Sequence, residues 1–205
     1  DKFYSLGIRA ISTRSIGYDH IDLEYARKIG MKISHVTYSP NSVANYTIML
    51  MLMACRKVPF ILSQAAGQNF ALQGKMGREI SLSTVGIIGT GKIGETVARH
   101  LSGFGCKMLA YDLYPKDSLG GIVEDVNLDT LYAESDIITL HAPGLPENHH
   151  MIDGKAMEKM KDGVILINAA RGSLIDTEAL ICGLESKKIG AAALDTFENE
   201  TGLYY

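Results

Sequence analysis

The sequence is poor in cysteine, and this scarcity excludes several classes of protein. Its 205 residues include only three cysteines, Cys55, Cys106 and Cys182. They are far apart, odd in number, and show neither a CxxC pair nor metal-ligand spacing, so we expect no disulfide framework and no metal site. A reducing, cytoplasmic location is the expectation that follows.

The chain also lacks a long apolar run and a concentration of positive charge. Its most apolar segment, Ile48 to Cys55, is too short to span a bilayer. The amino terminus has no signal-peptide pattern, although we expect a preceding segment because the chain opens at Asp1 rather than at a methionine. The net charge is -3 and the lysines and arginines are scattered, so neither nucleic acid nor a membrane is an expected partner.

What is present is the pattern of an α/β domain with the composition of a soluble globular protein. From Thr84 onward, β-branched runs alternate with helical stretches, which predicts a doubly wound parallel sheet with helices on both faces. The predicted strands are Val85 to Ile88, Lys107 to Tyr111, a weak one near Ile122 and Val123, Asp136 to Leu140, Val164 to Asn168 and Ile189 to Leu194. Apolar residues at helical spacing predict helices around Ile93 to Leu101, Ala156 to Met160 and Ala179 to Leu184.

The residues before this domain predict a strand, a helix and a strand at Ile8 to Ser12, Asp22 to Ile29 and Lys32 to Val36. Two parallel strands need further neighbours to satisfy their backbone groups. We therefore predict that residues 1–38 are the carboxyl-proximal fragment of a second domain, and that residues 39–205 form the doubly wound domain.

A long helix is predicted to run to about Lys57, with Asn41 or Ser42 as its cap. It is apolar nearly all round, so it must be covered on several sides. Two interpretations carry equal weight. The helix lies in the core, or the region Asn41 to Lys57 is the interface of a homodimer, where flexible methionines fill gaps well.

The strongest local motif is the GxGxxG run from Gly89 to Gly94, between a predicted strand and a predicted helix. Gly89 permits the tight turn, Gly91 lets the backbone approach a pyrophosphate, and Gly94 lets the helix close on the strand. The helix amino terminus then faces the negative charge. The motif predicts a dinucleotide site.

The following strand ends in Asp112, about 20 residues further on, as the dinucleotide motif requires. Its carboxylate can accept hydrogen bonds from the adenosine ribose hydroxyls and would repel a 2′-phosphate, so NAD is favoured over NADP. The alternative is that Asp112 only caps the turn formed by residues 112–115.

Segments at the carboxyl ends of the later strands, where open α/β sheets bind ligands, carry a family resemblance. They are His141-Ala142-Pro143, residues 168–172 (NAARG) and residues 193–200 (ALDTFENE). With residues 12–22 and 38–40, they resemble the D-isomer-specific 2-hydroxyacid dehydrogenases from about Ile8 to the chain end. Residues 38–41, 148–152 and 200–204 are most similar to the D-lactate dehydrogenase branch, including the vancomycin-resistance D-lactate dehydrogenases. The resemblance implies a Rossmann domain joined to a flavodoxin-like substrate domain.

The resemblance also implies catalytic and substrate-binding roles. Arg171 matches an arginine that would grip the substrate carboxylate and polarise the 2-oxo group. Glu200 matches an acid that orients a catalytic histidine. Ile16 and Gly17 match a loop whose backbone amides hold the substrate carboxylate, and Tyr38 matches a substrate-side tyrosine.

On the cofactor side, the resemblance implies contacts along the whole dinucleotide. Lys92 and Ile93 match the pyrophosphate turn, His141, Ala142, Pro143 and Asn148 match the segment after the fourth strand, and Ala169, Ala170, Arg171 and Asp195 match the nicotinamide end. Plainer roles remain open for three of these residues. Asp195 could cap its strand, Arg171 could pair with Asp176, and Glu200 could be a solvated loop acid.

The sequence departs from the family pattern in two places. Asn45 stands where the family usually has an acidic residue, which touches no assigned chemistry. The catalytic histidine is expected some tens of residues after Glu200, beyond Tyr205. His141 is better suited to be a cofactor neighbour than the proton donor, so we expect residues 1–205 alone to be inactive.

Two functions are consistent with these features. In the first, the parent protein reduces a 2-oxo acid, pyruvate or a close analogue, to the D-2-hydroxy acid with NADH. In the second, it is a non-enzymatic NAD-binding regulator, similar to transcriptional corepressors related to this family. The pairing of Arg171 with Glu200 favours the enzyme, whereas a peptide-binding cleft without turnover would favour the regulator.

Overall fold

The computed structural model describes residues 2–15, 17–18 and 21–200, and the chain divides into two compact units, Asp1–Ser39 and Pro40–Tyr205. The first unit contains helix α1 (Lys2–Ser5), strand β1 (Ala10–Thr13), helix α2 (Leu23–Lys28) and strand β2 (Lys32–His35). The two strands pair in parallel. Asp22 caps α2 by accepting a hydrogen bond from the Tyr25 N–H at 2.8 Å. The expected strand, helix and strand are therefore present.

The second unit is one parallel sheet with helices. The helices are α3 (Asn41–Cys55), α4 (Val58–Ala66), α5 (Lys92–Leu101), α6 (Leu128–Glu134), α7 (Gly154–Lys159) and α8 (Thr177–Glu185). The strands are β3 (Thr84–Ile88), β4 (Lys107–Tyr111), β5 (Glu124–Asp125), β6 (Ile137–Leu140), β7 (Val164–Asn168) and β8 (Ile189–Leu194). Their order in the sheet is β5-β4-β3-β6-β7-β8. The prediction of a doubly wound parallel sheet is confirmed.

Side chains alternate across this sheet and fill two separate cores. In β3, Val85 and Ile87 pack with α3 and α5 on one face, whereas Ile88 packs with α6, α7 and α8 on the other. Every residue of β7 is likewise buried. Because central strands of a parallel sheet are covered on both faces, their sequences are continuously apolar rather than alternating.

Helix α3 buries one side in the first of these cores. Ala44 and Met51 are fully buried where the helix contacts α5, β7 and β8. Met49 and Leu52 remain 42% and 37% exposed. The helix is therefore a core helix that also presents an apolar face outwards.

The predicted cap of this helix is wrong. Pro40 occupies the cap position with helical backbone angles, so neither Asn41 nor Ser42 caps α3, and both lie in its first turn. The helix ends at Cys55, two residues before the predicted end at about Lys57. Lys57 takes a left-handed conformation, with φ of 53°, and starts the next helix instead.

Three other elements differ from the prediction or were absent from it. Helix α4 was not predicted, and its Pro59 lies in the first turn, which accommodates proline. Helix α6 was not predicted either, and Asn127 caps it by accepting the Thr130 N–H. The weak strand predicted near Ile122 and Val123 is present as β5, which begins one residue later, whereas Ile122 and Val123 pack on the core.

Within the part of the chain that the structure describes, no single helix is long and apolar enough to cross a membrane. Helices α3 and α4 pass that test only as a pair, by length and composition, and they are bent by 60° at the break between them.

Gly86, at the centre of β3, lies where the sheet packs against α6. A Cβ there would collide with Ser135 Oγ and lie 2.7 Å from Leu131 Cδ2. We expect Gly86→Ala to lower the free energy of unfolding in urea by about 1–3 kcal/mol through overpacking. Gly103→Ala is the matched control, because its Cβ would meet nothing within 4 Å. Equal stability of the two variants would contradict this packing.

Candidate functional site

A cleft of about 430 Å³ opens at the carboxyl edge of the sheet, where β3 and β6 lie side by side. The chain that follows β3 forms α5 on one face of the sheet, and the chain that follows β6 forms α7 on the other face. The two connections therefore diverge between these neighbouring strands. Such a switch point is where doubly wound sheets bind ligands. Three segments form its walls: the glycine turn after β3, residues 111–114 at the end of β4, and residues 141–151 after β6.

The glycine turn leaves no room for side chains at two of its three glycines. Gly89 has φ of 92°, which glycine adopts readily, and a Cβ on it would lie 2.8 Å from the Ala142 backbone nitrogen. A Cβ on Gly94 would collide with the Gly89 carbonyl oxygen. Gly91 lines the cleft, and a Cβ on it would meet nothing within 4 Å. The open space beside Gly91 is therefore available to a ligand.

Helix α5 directs its amino terminus at this space. Gly91 is its cap, and Glu95 donates the first intrahelical hydrogen bond, to the Gly91 carbonyl at 2.9 Å. The N–H groups of Lys92, Ile93 and Gly94 precede that bond, so they and the helix dipole attract an anion. A dinucleotide pyrophosphate fits both the space and the charge.

Asp112 lines the cleft directly after β4 and is held by hydrogen bonds from its neighbours. Its Oδ2 accepts hydrogen bonds from the Thr90 N–H at 2.5 Å and hydroxyl at 3.0 Å, and its Oδ1 accepts the Tyr114 N–H at 2.8 Å. Burial alone would raise the pKa of Asp112, but these hydrogen bonds and nearby Lys116 lower it. The bond to Tyr114 is the turn cap of the alternative interpretation, and it coexists with a position on the cleft wall.

Lys116, the cation that lowers the pKa of Asp112, is bound to another acid. Lys116 Nζ lies 2.9 Å from Glu95 Oε2, and Arg99 binds the other oxygen of Glu95 at 2.9 Å. The hydrogen bonds from Lys116 and then Arg99 lower the pKa of Glu95 to about 2, so this acid stays charged. The ion pair with Glu95 therefore holds the Lys116 side chain against α5.

His141 follows β6 on the cleft wall, and its Nε2 lies 3.0 Å from the Thr139 hydroxyl. Burial lowers the pKa of His141 to about 4, because a charged imidazole loses its hydration there. The ring is therefore neutral at physiological pH, which suits a cofactor neighbour and not a cationic proton donor.

The loop after β6 carries the other predicted dinucleotide contacts. Ala142, Pro143 and Asn148 all line the cleft. Asn148 closes the loop on itself, with its Nδ2 donating to the Pro143 carbonyl at 3.0 Å. The structure thus brings these residues together with the glycine turn and Asp112.

Arg171 lies at the carboxyl edge of β7, in a loop braced by buried Asn168. The Asn168 side chain donates to the Arg171 carbonyl at 2.8 Å and accepts the Ala170 N–H at 3.0 Å. A Cβ on Gly144 would lie 2.9 Å from Arg171 Cγ, so the arginine stem passes directly beside the residue that follows Pro143. Ala169 and Ala170 occupy the same loop. Asp176, the suggested partner of Arg171, caps α8 by accepting the Ala179 N–H.

The turn after β8 contains Asp195 and Glu200, the two remaining acids among the residues assigned from the sequence. Asp195 is exposed, and its N–H donates to the Asn168 carbonyl at 2.8 Å. Glu200 folds back to accept the Phe197 N–H at 3.1 Å. A Cβ on Gly172 would collide with the Phe197 carbonyl group, so this turn rests on the loop that carries Arg171.

The substrate-side residues belong to the first unit. Gly17 is partly buried and Tyr38 is 49% exposed. Ile16 lies outside the described residues.

Several residues that organise the cleft were not assigned from the sequence. Thr90 binds Asp112, Asn168 braces the loop of Arg171, and Gly172 permits the contact with the last turn. His150 and Glu198 also pair across two loops, at 2.6 Å. Thr90 could have been found as the second residue of the glycine motif, and the contacts of Asn168 are also local. Gly172, His150 and Glu198 depend on contacts between distant segments.

Together, the sheet order, the glycine turn and the acid after β4 define a dinucleotide-binding domain of the doubly wound class. Residues 48–202 match the family described as D-isomer specific 2-hydroxyacid dehydrogenase, NAD binding domain. The chain belongs to this family, and its cofactor is NAD.

Known proteins similar to this chain are reductases and dehydrogenases. An aromatic 2-oxoacid reductase of Clostridium sporogenes is 47% identical, over 100% of this chain and 62% of the relative. A D-lactate dehydrogenase of Escherichia coli is 41% identical, over 97% of this chain and 61% of the relative. A crystal structure of D-lactate dehydrogenase from Aquifex aeolicus, complexed with NAD and lactic acid, matches with a TM-score of 0.90 at 41% identity, over 95% of this chain and 60% of that chain.

These similarities confirm the D-2-hydroxyacid dehydrogenase resemblance and its D-lactate dehydrogenase branch. They give no support to the NAD-binding regulator. The chain spans about three fifths of the length of the curated relatives it matches.

The surroundings of Asp112 predict that NADH binds more tightly than NADPH. An ionised carboxylate and a lysine already held by Glu95 disfavour a 2′-phosphate, so we expect a preference of at least about tenfold, or roughly 1.4 kcal/mol, by isothermal titration. Asp112→Ala should narrow the difference chiefly by weakening NADH. Asp117→Asn, an exposed acid outside the cleft wall, should leave it unchanged. Equal affinities of the unaltered protein would refute the assignment.

Proposed function

We propose that the complete protein reduces a 2-oxo acid, pyruvate or a close analogue, to the D-2-hydroxy acid with NADH. The observation that carries this proposal is the position of Arg171. Its loop is braced by Asn168, and its stem passes beside Gly144 at the end of the dinucleotide cleft. Similarity to proteins described as D-lactate dehydrogenases and an aromatic 2-oxoacid reductase supports the same reaction.

Bound NADH supplies the hydride, and the protein must bind the substrate and stabilise charge on its carbonyl oxygen. A guanidinium is suited to both tasks, since it forms paired hydrogen bonds to a carboxylate and remains charged. We assign this role to Arg171. Asp195, Ala169 and Ala170 are assigned to the nicotinamide end, and Gly17, Ile16 and Tyr38 to the substrate side.

Reduction also needs a proton donor, and we assign its orientation to Glu200. One carboxylate oxygen of Glu200 accepts the Phe197 N–H, and we assign the other to a histidine imidazole. Neither His141 nor His150 is suited to be that histidine. His141 is neutral because of burial, and His150 is paired with Glu198. We propose that the donor is the histidine that the family resemblance implies some tens of residues after Glu200.

We further propose that the protein is a homodimer through the region Asn41–Lys57. An apolar groove of about 470 Å³ lies along the outer side of α3, between Met49 and Leu52 on the helix and Phe104. Exposed apolar surface of this kind marks protein interfaces.

A cytoplasmic location is proposed from the cysteines. Cys55, Cys106 and Cys182 are all free. Burial raises the pKa of the Cys55 and Cys106 thiols, which keeps them protonated and unreactive.

Arg171→Lys in the complete protein tests the proposed reaction. Lysine keeps the charge but loses the planar pair of donors, so kcat for pyruvate reduction should fall by orders of magnitude while the Kd of NADH changes little. Loss of NADH absorbance with pyruvate, and with phenylpyruvate as an aromatic alternative, measures the rate. Arg27→Lys on α2 is the control. If the unaltered protein reduced neither acid the proposed function would fail, and near-normal turnover of Arg171→Lys would make that residue structural.

Leu52→Glu tests the dimer. A charge on the outer face of α3 should convert a dimer to monomers in sedimentation velocity, because it must be desolvated in the interface. Ile181→Glu on α8 places the same charge at another apolar residue, 46% exposed, and should leave the dimer intact. A monomeric unaltered protein would rule the proposal out.

A further inference from the structure

One hydrogen-bonded pair joins the three loops that follow β6, β7 and β8. His150 Nε2 lies 2.6 Å from Glu198 Oε1, with the side chains only 32% and 20% exposed. The His150 backbone N–H donates to the Ser173 carbonyl at 2.9 Å. His150 therefore contacts both the loop that carries Arg171 and the turn that carries Glu200.

Glu198 has a second anchor at the start of α8. Its Oε2 accepts the Thr177 hydroxyl at 2.9 Å and the Thr177 N–H at 3.3 Å. The hydrogen bond from His150, followed by those from Thr177, lowers the pKa of Glu198. An ionised carboxylate only accepts hydrogen bonds, so the proton of this pair resides on His150 Nε2.

The backbone around the pair is held in an uncommon conformation. His150 has φ of 52°, and Asn199, next to Glu198, has φ of 61°. Left-handed residues other than glycine persist where surrounding contacts fix them. The pair is thus part of what holds these two loops in place.

Each member of the pair lies next to residues assigned to the cofactor and the substrate. His150 comes two residues after Asn148, and Glu198 lies between Asp195 and Glu200. We propose that His150 and Glu198 are positioning residues, which hold the loops of Asn148 and Asp195 in register at the nicotinamide end of the site. This inference rests on the proposed function.

A metal ion is the competing use of these side chains. Ligand atoms of His149, His150 and Glu198 lie within 4.8 Å of one another. The two histidine rings, however, are stacked 3.9 Å apart at an interplanar angle of 30°, so their lone pairs lie in two nearly parallel planes that do not meet between the rings. The contact between His150 and Glu198 is also shorter than the roughly 3.3 Å that separates two ligands of a tetrahedral zinc ion with bonds near 2 Å. The geometry favours the hydrogen bond.

The test compares two nucleotides that differ only at the nicotinamide end. In His150→Gln and in Glu198→Gln of the complete protein, the affinity for NADH should fall about tenfold, whereas that for ADP-ribose should change less than twofold. The double variant should lose little more than either single variant, because the residues act as a unit. His149→Gln and Glu185→Gln are matched controls, both exposed, and should bind both nucleotides normally.

Thr177→Val removes only the hydroxyl contact to Glu198 and should lower the NADH affinity by a smaller factor. This variant keeps the test valid if a glutamine variant fails to fold. An equal loss for NADH and ADP-ribose, or no loss for either, would overturn the inference. A matching loss in His149→Gln that is mimicked by EDTA would overturn it in favour of a metal. Failure of the unaltered protein to bind NADH would instead refute the proposed function.

Discussion

The rest of the cleft depends on the packing of backbone against backbone at the turn between β3 and α5. Gly94 contacts the Gly89 carbonyl, and Gly89 contacts the backbone of residues 141–142, with no space for a Cβ at either glycine. Because no side chain can yield there, the first amides of α5 and the loop after β6 have fixed positions relative to each other. The shape of the cleft at this turn is therefore set mainly by the main chain.

Several residues together determine the charge of the cleft wall beside Asp112. Asp112 remains ionised because Tyr114 and Thr90 donate hydrogen bonds to it, which offsets the effect of burial on its pKa. Lys116 would favour a phosphate if it turned towards the ribose, but Glu95 holds it against α5. A sequence with the same aspartate but no acid at position 95 would leave Lys116 without this partner. The net charge beside Asp112 would then differ. The charge of the cleft wall at this point thus depends on the partner of Lys116 as well as on Asp112.

The features predicted well from the sequence are those decided by short-range patterns. Val164 to Asn168 is continuously apolar because it is covered on both faces, and the glycine motif needs only a strand before it and a helix after it. The beginning of α3 was misplaced because Pro40 can itself adopt helical angles, so the polar residues after it have no cap to provide. For Asp112 the two alternatives were not exclusive, since a carboxylate has enough lone pairs to cap a turn and still face a ribose.

Contacts between loops escaped prediction because the partners are far apart in sequence. Asn168 forms hydrogen bonds with Ala170 and Arg171, which follow it closely in the sequence. Its importance becomes clear only from the burial of its side chain at the carboxyl end of β7. His150 and Glu198 are 48 residues apart, and no local pattern connects them. The loops after β6 and β7 are joined by backbone hydrogen bonds, such as that from the Ile152 N–H to the Leu174 carbonyl, and by the burial of both side chains in the core. The turn after β8 is joined to them by the hydrogen bonds of Glu198 and by the close contact at Gly172. Arg171 and Glu200 stand on two of these loops, and their separation depends in part on the contact between His150 and Glu198, which lies outside the core. The alignment of the groups that we propose to act on the substrate can therefore be altered by substitutions of this pair that leave the core residues unchanged.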